Sequence, residues 1–157
     1  MNEEAADTVQ MIGSKVTFVP MDEESAYELS EWDLEPGAGG PPVHVHHHHD
    51  EGFYVMSGRV GFVLDGVTIF AKPGAHVLAP KGHAHSFWNA GRGPARCLVI
   101  VSPRGMEAYF RELASMLRGV DTQEGSMAAR RQLEGKHDLE IVGPPPAPAP
   151  QKEPRDA

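Results

Sequence analysis

The chain has 157 residues, of which 40% are hydrophobic, a size and composition that suit one domain with one buried core. Acidic residues outnumber basic ones by 22 to 14 and the formal net charge is -8, so we expect no nucleic-acid partner. Cys97 is the single cysteine, which excludes an intrachain disulfide and a thiolate zinc cluster.

The two ends of the chain differ in composition from its middle. Residues 1–12 hold few large apolar side chains, and residues 143–157 are rich in proline, which removes backbone donors. We therefore expect a flexible N-terminus at 1–12, one folded domain at 13–142 and a disordered tail at 143–157. The acidic segment 1–7 is unlike a secretory signal and no apolar run is long enough to span a membrane, so we expect a cytoplasmic protein without membrane contact.

Short β-branched and aromatic runs, separated by glycine and proline, dominate the first two thirds of the chain. The predicted strands are Lys15–Val19, Gly52–Met56, Val60–Leu64, Val67–Phe70 and Cys97–Val101. Between two of them, the pair Asp65-Gly66 predicts a two-residue hairpin turn, because both residues tolerate positive φ angles. Many short strands with tight turns favour an antiparallel sandwich or barrel over an α/β sheet.

After residue 102 the spacing of apolar residues changes to the helical period of three to four. The positions concerned are Met106, Phe110, Leu113 and Leu117. They predict an amphipathic helix that starts near Pro103, ends near Gly119 and packs on the β domain. A weaker helical stretch at 127–133 and a short closing strand at 139–142 complete the predicted elements.

A histidine-rich segment is the feature that any functional interpretation must explain. Five histidines fall within six positions of the segment Val43–Glu51. Alternate residues of a strand face the same side, so His44 and His46 can present both imidazoles to one point. Glu51 follows across a turn and can add a carboxylate, whereas a third imidazole must come from elsewhere in the chain.

The other histidines near this segment fall into two groups. His83 and His85 lie beside a second tight turn and are the candidates for the third imidazole. Alternation along the strand places His47 and His49 toward solvent, and it places His48 inward only if the strand continues.

Two spacings in the chain resemble the two motifs of the cupin superfamily. The first motif corresponds to His44, His46, Glu51 and Gly58, and the second to Gly74, Pro80, Gly82, His85 and Asn89. Ala38 departs from the pattern, because the first motif usually opens with a glycine there. The 15 residues between the motifs are the short form typical of small single-domain cupins.

The resemblance implies an all-β fold, a jelly-roll or double-stranded β-helix barrel with a C-terminal α-helical segment. It also implies one divalent metal ion bound by His44, His46, Glu51 and His85. Pro80 and Gly82 would form the turn that aims His85 inward, and Asn89 would hold the barrel together through backbone hydrogen bonds. Cupins often pair through barrel strands, so the resemblance implies a homodimer.

Three imidazoles and one carboxylate suit iron(II), manganese, nickel, cobalt, copper or zinc, and the ligands alone do not choose among these metals. A coordination position left open would accept water, dioxygen or a substrate oxygen. Glu51 is also the candidate catalytic residue, acting as a proton acceptor. The alternation of side chains along the strands gives four candidate pocket residues: Phe53, Val55, Phe62 and Phe87. For each of them the alternative is an ordinary position in the barrel core.

Within the cupins, the chain resembles small bacterial proteins grouped with quercetin dioxygenases. This implies a metal-dependent oxygenase or dioxygenase whose partners are dioxygen and a small aromatic or polyketide-like substrate. One alternative is a non-oxidative cyclase, isomerase or decarboxylase that uses the metal as a Lewis acid. The other is a small-ligand-binding module without turnover, because one fold serves many activities.

Overall fold

The computed structural model describes residues 6–146, and this part of the chain contains eleven strands and two helices. In chain order the elements are β1 (Thr8–Met11), β2 (Ser14–Phe18), β3 (Glu28–Leu34), β4 (His44–Val45), β5 (Asp50–Ser57), β6 (Val60–Leu64), β7 (Val67–Ala71), β8 (His76–Ala79), β9 (His85–Asn89), β10 (Ala95–Ser102), α1 (Glu107–Met116), α2 (Gln123–Leu133) and β11 (Glu140–Ile141).

The strands form two antiparallel sheets that enclose the core. The first has the order β1-β2-β3-β10-β5-β8, and the second has the order β11-β4-β9-β6-β7. Buried and partly exposed residues alternate along β3 and β10, as in a sheet with one face on the core. The strand β9, at the centre of the second sheet, is buried along its whole length. This architecture confirms the predicted all-β jelly-roll fold.

Two tight connections beside β6 follow from glycine. The predicted hairpin joins β6 to β7, with φ of 48° at Asp65 and 80° at Gly66. Gly58 joins β5 to β6 at a φ of +75°, and a Cβ there would lie 2.6 Å from the carbonyl oxygen of Pro94. Any other residue at this position would be strained and would clash with the backbone.

The helix α1 begins later than the predicted start near Pro103. Gly105 has a φ of 140°, which a helix cannot include. The backbone N–H groups of Met106 and Glu107 donate to the carboxylate of Glu28 on β3, at 2.6 and 2.9 Å. Because the first N–H groups of a helix lack partners within it, this carboxylate determines where α1 starts.

The two helices pack together over one side of the β domain, and α1 also contacts β1. Leu113 of α1 and Leu133 of α2 are buried, so the amphipathic pattern serves core packing as predicted. The helix α2 is longer than the predicted stretch at 127–133, because Thr122 caps it by accepting from the N–H of Gly125. Within residues 6–146, neither helix is long and apolar enough to cross a membrane.

The folded part extends beyond the predicted limits at residues 13 and 142. The strand β1 pairs with β2, and Met11 is buried. This segment has few large apolar residues because an edge strand buries only one of its faces. At the other end, Gly143 donates to the carbonyl of Val43, and Val43 donates to the carbonyl of Pro144. The rest of the predicted tail from residue 147 onward, and residues 1–5, lie outside the described residues.

Replacing Glu28 with alanine tests the role of this carboxylate. We expect Glu28→Ala to lower the free energy of unfolding by about 2 kcal/mol, because two N–H groups at the start of α1 lose a charged acceptor. Urea denaturation measures the loss. Glu24→Ala, at an exposed position, is the matched control. Equal stability of the two variants would contradict the capping role.

Candidate metal centre

Three strands from both sheets bring the predicted ligands together. His44 begins β4 and lies opposite His85 of β9 in the register of the second sheet. Glu51 lies in β5 of the first sheet, and His46 immediately follows β4. The four side chains therefore meet between the two sheets.

The four side chains form a compact and buried group, which we call the ligand cluster: His44, His46, Glu51 and His85. Each offers one ligand atom, and these atoms all lie within 4.8 Å of one another. The Oε2 atom of Glu51 lies 2.8 Å from Nε2 of His85 and 3.3 Å from Nε2 of His46. No member is more than 6% exposed. A cluster of this composition can hold a metal ion.

Backbone carbonyls hold two of the imidazole rings from outside the cluster. Nδ1 of His44 donates to the carbonyl of Pro42 at 2.7 Å, and Nδ1 of His46 donates to the carbonyl of Asp138 at 2.6 Å. With Nδ1 engaged as a donor, Nε2 is the nitrogen that faces the cluster. In metal-binding histidines, such a hydrogen bond from the other ring nitrogen fixes the orientation and the tautomer of the ring.

The turn of the second motif supports the cluster on its other side. The N–H of Gly82 donates to the carbonyl of His46 at 2.8 Å. Gly82 has a φ of +81°, a conformation that glycine adopts without strain. The turn thus joins the segment that carries His85 directly to the first motif.

Burial and neighbouring groups set the charge of the cluster. The pKa of His44 lies well below its ordinary value, because burial disfavours the cation and the nearby rings of His85 and His46 add repulsion. Burial alone would raise the pKa of Glu51, but hydrogen bonds from His46 and His85 outweigh it and hold that pKa well below its usual range. A neutral imidazole and an ionised carboxylate are the forms that bind metals.

The pKa of His46 shifts in the opposite direction. Its burial would lower the pKa, but the carboxylate of Glu51 and the carbonyl of Asp138 outweigh burial and raise it. A shift in this direction favours the protonated form of His46 beside the buried carboxylate of Glu51.

Asp138 is a part of the site that sequence analysis missed. Its carboxylate accepts from the N–H groups of His47 and His48 at 2.7 and 2.8 Å, and it lies 2.6 Å from Nδ1 of His49. Its own carbonyl binds His46, so one residue holds the whole histidine-rich turn. The contact joins positions 92 residues apart, and no local spacing signals it.

None of the three remaining histidines of this turn joins the ligand cluster. His47 is exposed, as predicted, and pairs with Glu140 at 2.6 Å. His48 is exposed as well. His49 was expected to face solvent, but only 13% of its side chain is exposed, because the ring turns back to bind the carboxylate of Asp138.

A cavity of about 280 Å³ lies beside the ligand cluster, and His44, His46 and Glu51 line it. Of the four predicted pocket walls, Phe87 lines this cavity. The other aromatic residues that line it are Trp32 of β3, Trp88 of β9, and Tyr109 and Phe110 of α1. The ring of Trp32 lies edge-on to those of Phe87 and Phe110, at centroid distances of 5.4 and 5.2 Å.

The other three predicted pocket walls lie in the core and do not line the cavity. Phe53 and Val55 are fully buried, and Phe62 is 2% exposed. The ring of Phe53 packs against Phe62 at 5.2 Å and against Phe87 at 4.9 Å. Strand parity places these side chains between the sheets, but it carries no information on whether other side chains fill the space in front of them.

Asn89 lines the cavity, yet hydrogen bonds occupy its amide. Its Nδ2 donates to the carbonyls of Leu34 and Gly93, both at 2.9 Å, and its Oδ1 accepts from the N–H of Gly91. It ties β9 to the end of β3, which is the structural role expected from the second motif.

The ligand cluster fits a divalent transition metal. Three nitrogen donors and one oxygen donor form a set of intermediate hardness, and their carbonyl partners hold two of the rings in the binding orientation. The cavity adjoins the cluster on one side, so a further ligand can approach from there.

The family model described as the cupin domain matches residues 30–101, a range that contains the whole ligand cluster. Oxidoreductase iacF of Pestalotiopsis fici is 40% identical over 57 residues, which cover 36% of this chain and 28% of that protein. Germin-like protein 1 of Brassica napus is 29% identical over 96 residues, which cover 58% of this chain and 46% of that protein. The chain thus spans less than half the length of these curated relatives.

Solved structures share the fold. KdgF from Halomonas sp. superposes with a TM-score of 0.59 at 24% identity, over 69% of this chain and 94% of that one. A cupin-superfamily sugar phosphate isomerase from Silicibacter pomeroyi superposes with a TM-score of 0.53 at 27% identity, over 59% of this chain and 60% of that one. The architecture and the two motifs agree with the family match, and residues 30–101 of this chain form a cupin domain.

Proposed function

We propose that this cupin is a metal-dependent oxygenase or dioxygenase that acts on a small aromatic or polyketide-like molecule. The observation that carries the proposal is the ligand cluster beside a cavity with aromatic walls. A relative named as an oxidoreductase supports the class of reaction over a short stretch of sequence.

The residues of the ligand cluster would hold the metal, and those of the cavity would hold the substrate. When bound, iron(II), manganese, nickel, cobalt, copper or zinc supplies Lewis acidity, and the redox-active ions among them also supply a position for dioxygen. His44 and Glu51 line the cavity, so a molecule held there lies next to the centre. The aromatic walls bind an apolar ring and keep water away from it.

Glu51 is assigned first as a ligand and only second as a proton acceptor. Its low pKa makes it a weak base for as long as His46 and His85 donate to it. Proton transfer to Glu51 therefore belongs to a state in which the carboxylate has moved away from these rings.

A non-oxidative reaction is the second candidate. The Silicibacter pomeroyi structure, which is 27% identical, is named as a sugar phosphate isomerase. The same ligand cluster can serve an isomerase, cyclase or decarboxylase, because Lewis acidity alone supports such reactions.

Metal content tests the ligand cluster. We expect the double variant Glu51→Gln/His85→Gln to lose the metal, because it removes one carboxylate and one imidazole from a four-residue set. Elemental analysis of protein purified without added metal measures the loss. The control is His83→Gln, which alters an exposed ring paired with Asp65. Unchanged metal content in the double variant would show that the site lies elsewhere.

The contribution of Asp138 is tested separately. We expect Asp138→Ala to weaken metal binding by about tenfold or more, because residues that orient metal ligands have effects of this size. Competition with a coloured chelator measures the affinity. Glu140→Ala removes the carboxylate paired with the exposed His47 and should change little. Equal affinity of both variants would rule out a supporting role for the Asp138 carboxylate.

Dioxygen uptake tests the class of reaction. We expect protein loaded with iron, manganese or nickel to consume dioxygen in the presence of polyphenol substrates, and the Glu51→Gln/His85→Gln variant to show none. An oxygen electrode measures the uptake, and product analysis accompanies it. Turnover that continues under strict anaerobiosis would exclude the oxygenase and favour the non-oxidative reaction.

A further inference from the structure

Arg130 of α2 lines the cavity beside the ligand cluster and carries a buried donor without a partner. Its Nη1 donates to the hydroxyl of Tyr109 at 3.3 Å. Its Nε, in contrast, is buried and has no hydrogen-bond partner within residues 6–146. A buried guanidinium donor without a partner costs free energy, and a rotation of the side chain that brings this donor to a ligand in the cavity would recover it.

The geometry of the guanidinium group points to the kind of ligand. The Nε–H and Nη2–H groups share one edge of the plane, and such an edge matches the two oxygens of a carboxylate. The hydroxyl of Tyr109 accepts from Nη1. It therefore supports the guanidinium plane and leaves the edge formed by Nε–H and Nη2–H free of this contact. Tyr109 is only 2% exposed, which makes it a fixed partner.

The charges around the cavity favour a single negative charge on the ligand. Arg130 is the one lysine or arginine that lines the cavity among residues 6–146. Glu35 and Asp121, which are exposed, and the buried Glu51 line it as well. These carboxylates would repel a phosphate dianion more strongly than a carboxylate.

The apolar part of the cavity indicates the rest of the molecule. The rings of Trp32, Phe87 and Phe110 pack together in its aromatic wall, and such a wall binds a planar apolar group. We propose that the cavity binds a small aromatic carboxylate, with the carboxylate on the guanidinium group of Arg130, which turns its Nε edge toward the ligand, and with the ring against the aromatic wall. This inference rests on the proposed function, because it takes the cavity as the substrate site and names the substrate class.

Calorimetric titration with three probes tests this inference on the full chain, with and without bound metal. The probes are benzoate, its uncharged counterpart benzyl alcohol, and phenyl phosphate. We expect benzoate to bind more tightly than either of the others to the wild-type protein. Tighter binding of phenyl phosphate than of benzoate would overturn the carboxylate assignment.

Variants on α2 locate the carboxylate. We expect Arg130→Gln to weaken benzoate binding by about tenfold or more and to leave benzyl alcohol unaffected, because only benzoate needs the charged two-donor edge. The matched control is Arg131→Gln at the next position of the same helix, which is exposed and does not line the cavity. Arg130→Lys keeps the positive charge but lacks the pair of parallel N–H donors of the guanidinium group. It provides the test if the glutamine variant does not fold. Benzoate binding unchanged in both Arg130 variants would overturn the inference.

The metal-free and metal-loaded titrations separate this inference from the proposed function. Loss of benzoate binding in Arg130→Gln at unchanged metal content supports the Arg130 subsite whether or not the protein consumes dioxygen. Benzoate binding that requires the metal and is insensitive to Arg130 would place the carboxylate on the ligand cluster. That result would overturn the subsite and leave the metal-dependent reaction intact.

Discussion

The buried carboxylate of Glu51 is the group on which the organisation of this fold depends. A charge removed from water is tolerated only where donors or cations compensate it, and here His46 and His85 do so. Glu51 belongs to the first sheet and His85 to the second, so compensation of one charge holds the two sheets in a defined relation at this point. The same contacts place the ligand atoms within reach of one ion.

This requirement extends to the C-terminal part of the chain. After β10 the chain leaves the sheets to form α1 and α2, and it returns at Asp138 and β11 beside β4. Asp138 holds His46 through its carbonyl and the following turn through its carboxylate. The two helices are therefore anchored at both ends, by the cap from Glu28 and by this return. That anchoring keeps Tyr109 and Phe110 of α1 in the cavity wall.

The strand period predicted that His44 and His46 face one point, but it left His83 and His85 open as the third imidazole, and the resemblance to the two cupin motifs supplied the full ligand cluster. Local spacing also predicted the hairpin at Asp65-Gly66 and the amphipathic α1. It did not reveal Asp138, whose contact with His46 depends on how the chain returns after two helices. Parity placed Phe53 and Phe62 between the sheets, yet whether a buried side chain reaches an open space depends on packing in three dimensions.

The ligand cluster and the helical part of the cavity wall come from different parts of the chain. The whole ligand cluster lies within residues 30–101, the range that matches the cupin domain, whereas Tyr109, Phe110 and Arg130 lie beyond it. The family match therefore informs the interpretation of the ligand cluster, and it says little about which molecule would bind in the cavity. The helices supply part of the aromatic wall and the single guanidinium group of the cavity. Substitutions at these helical positions leave the buried charge of Glu51 undisturbed. If the proposed function holds, selectivity for the substrate can vary through the helices while the buried charge of Glu51 keeps the ligand cluster together.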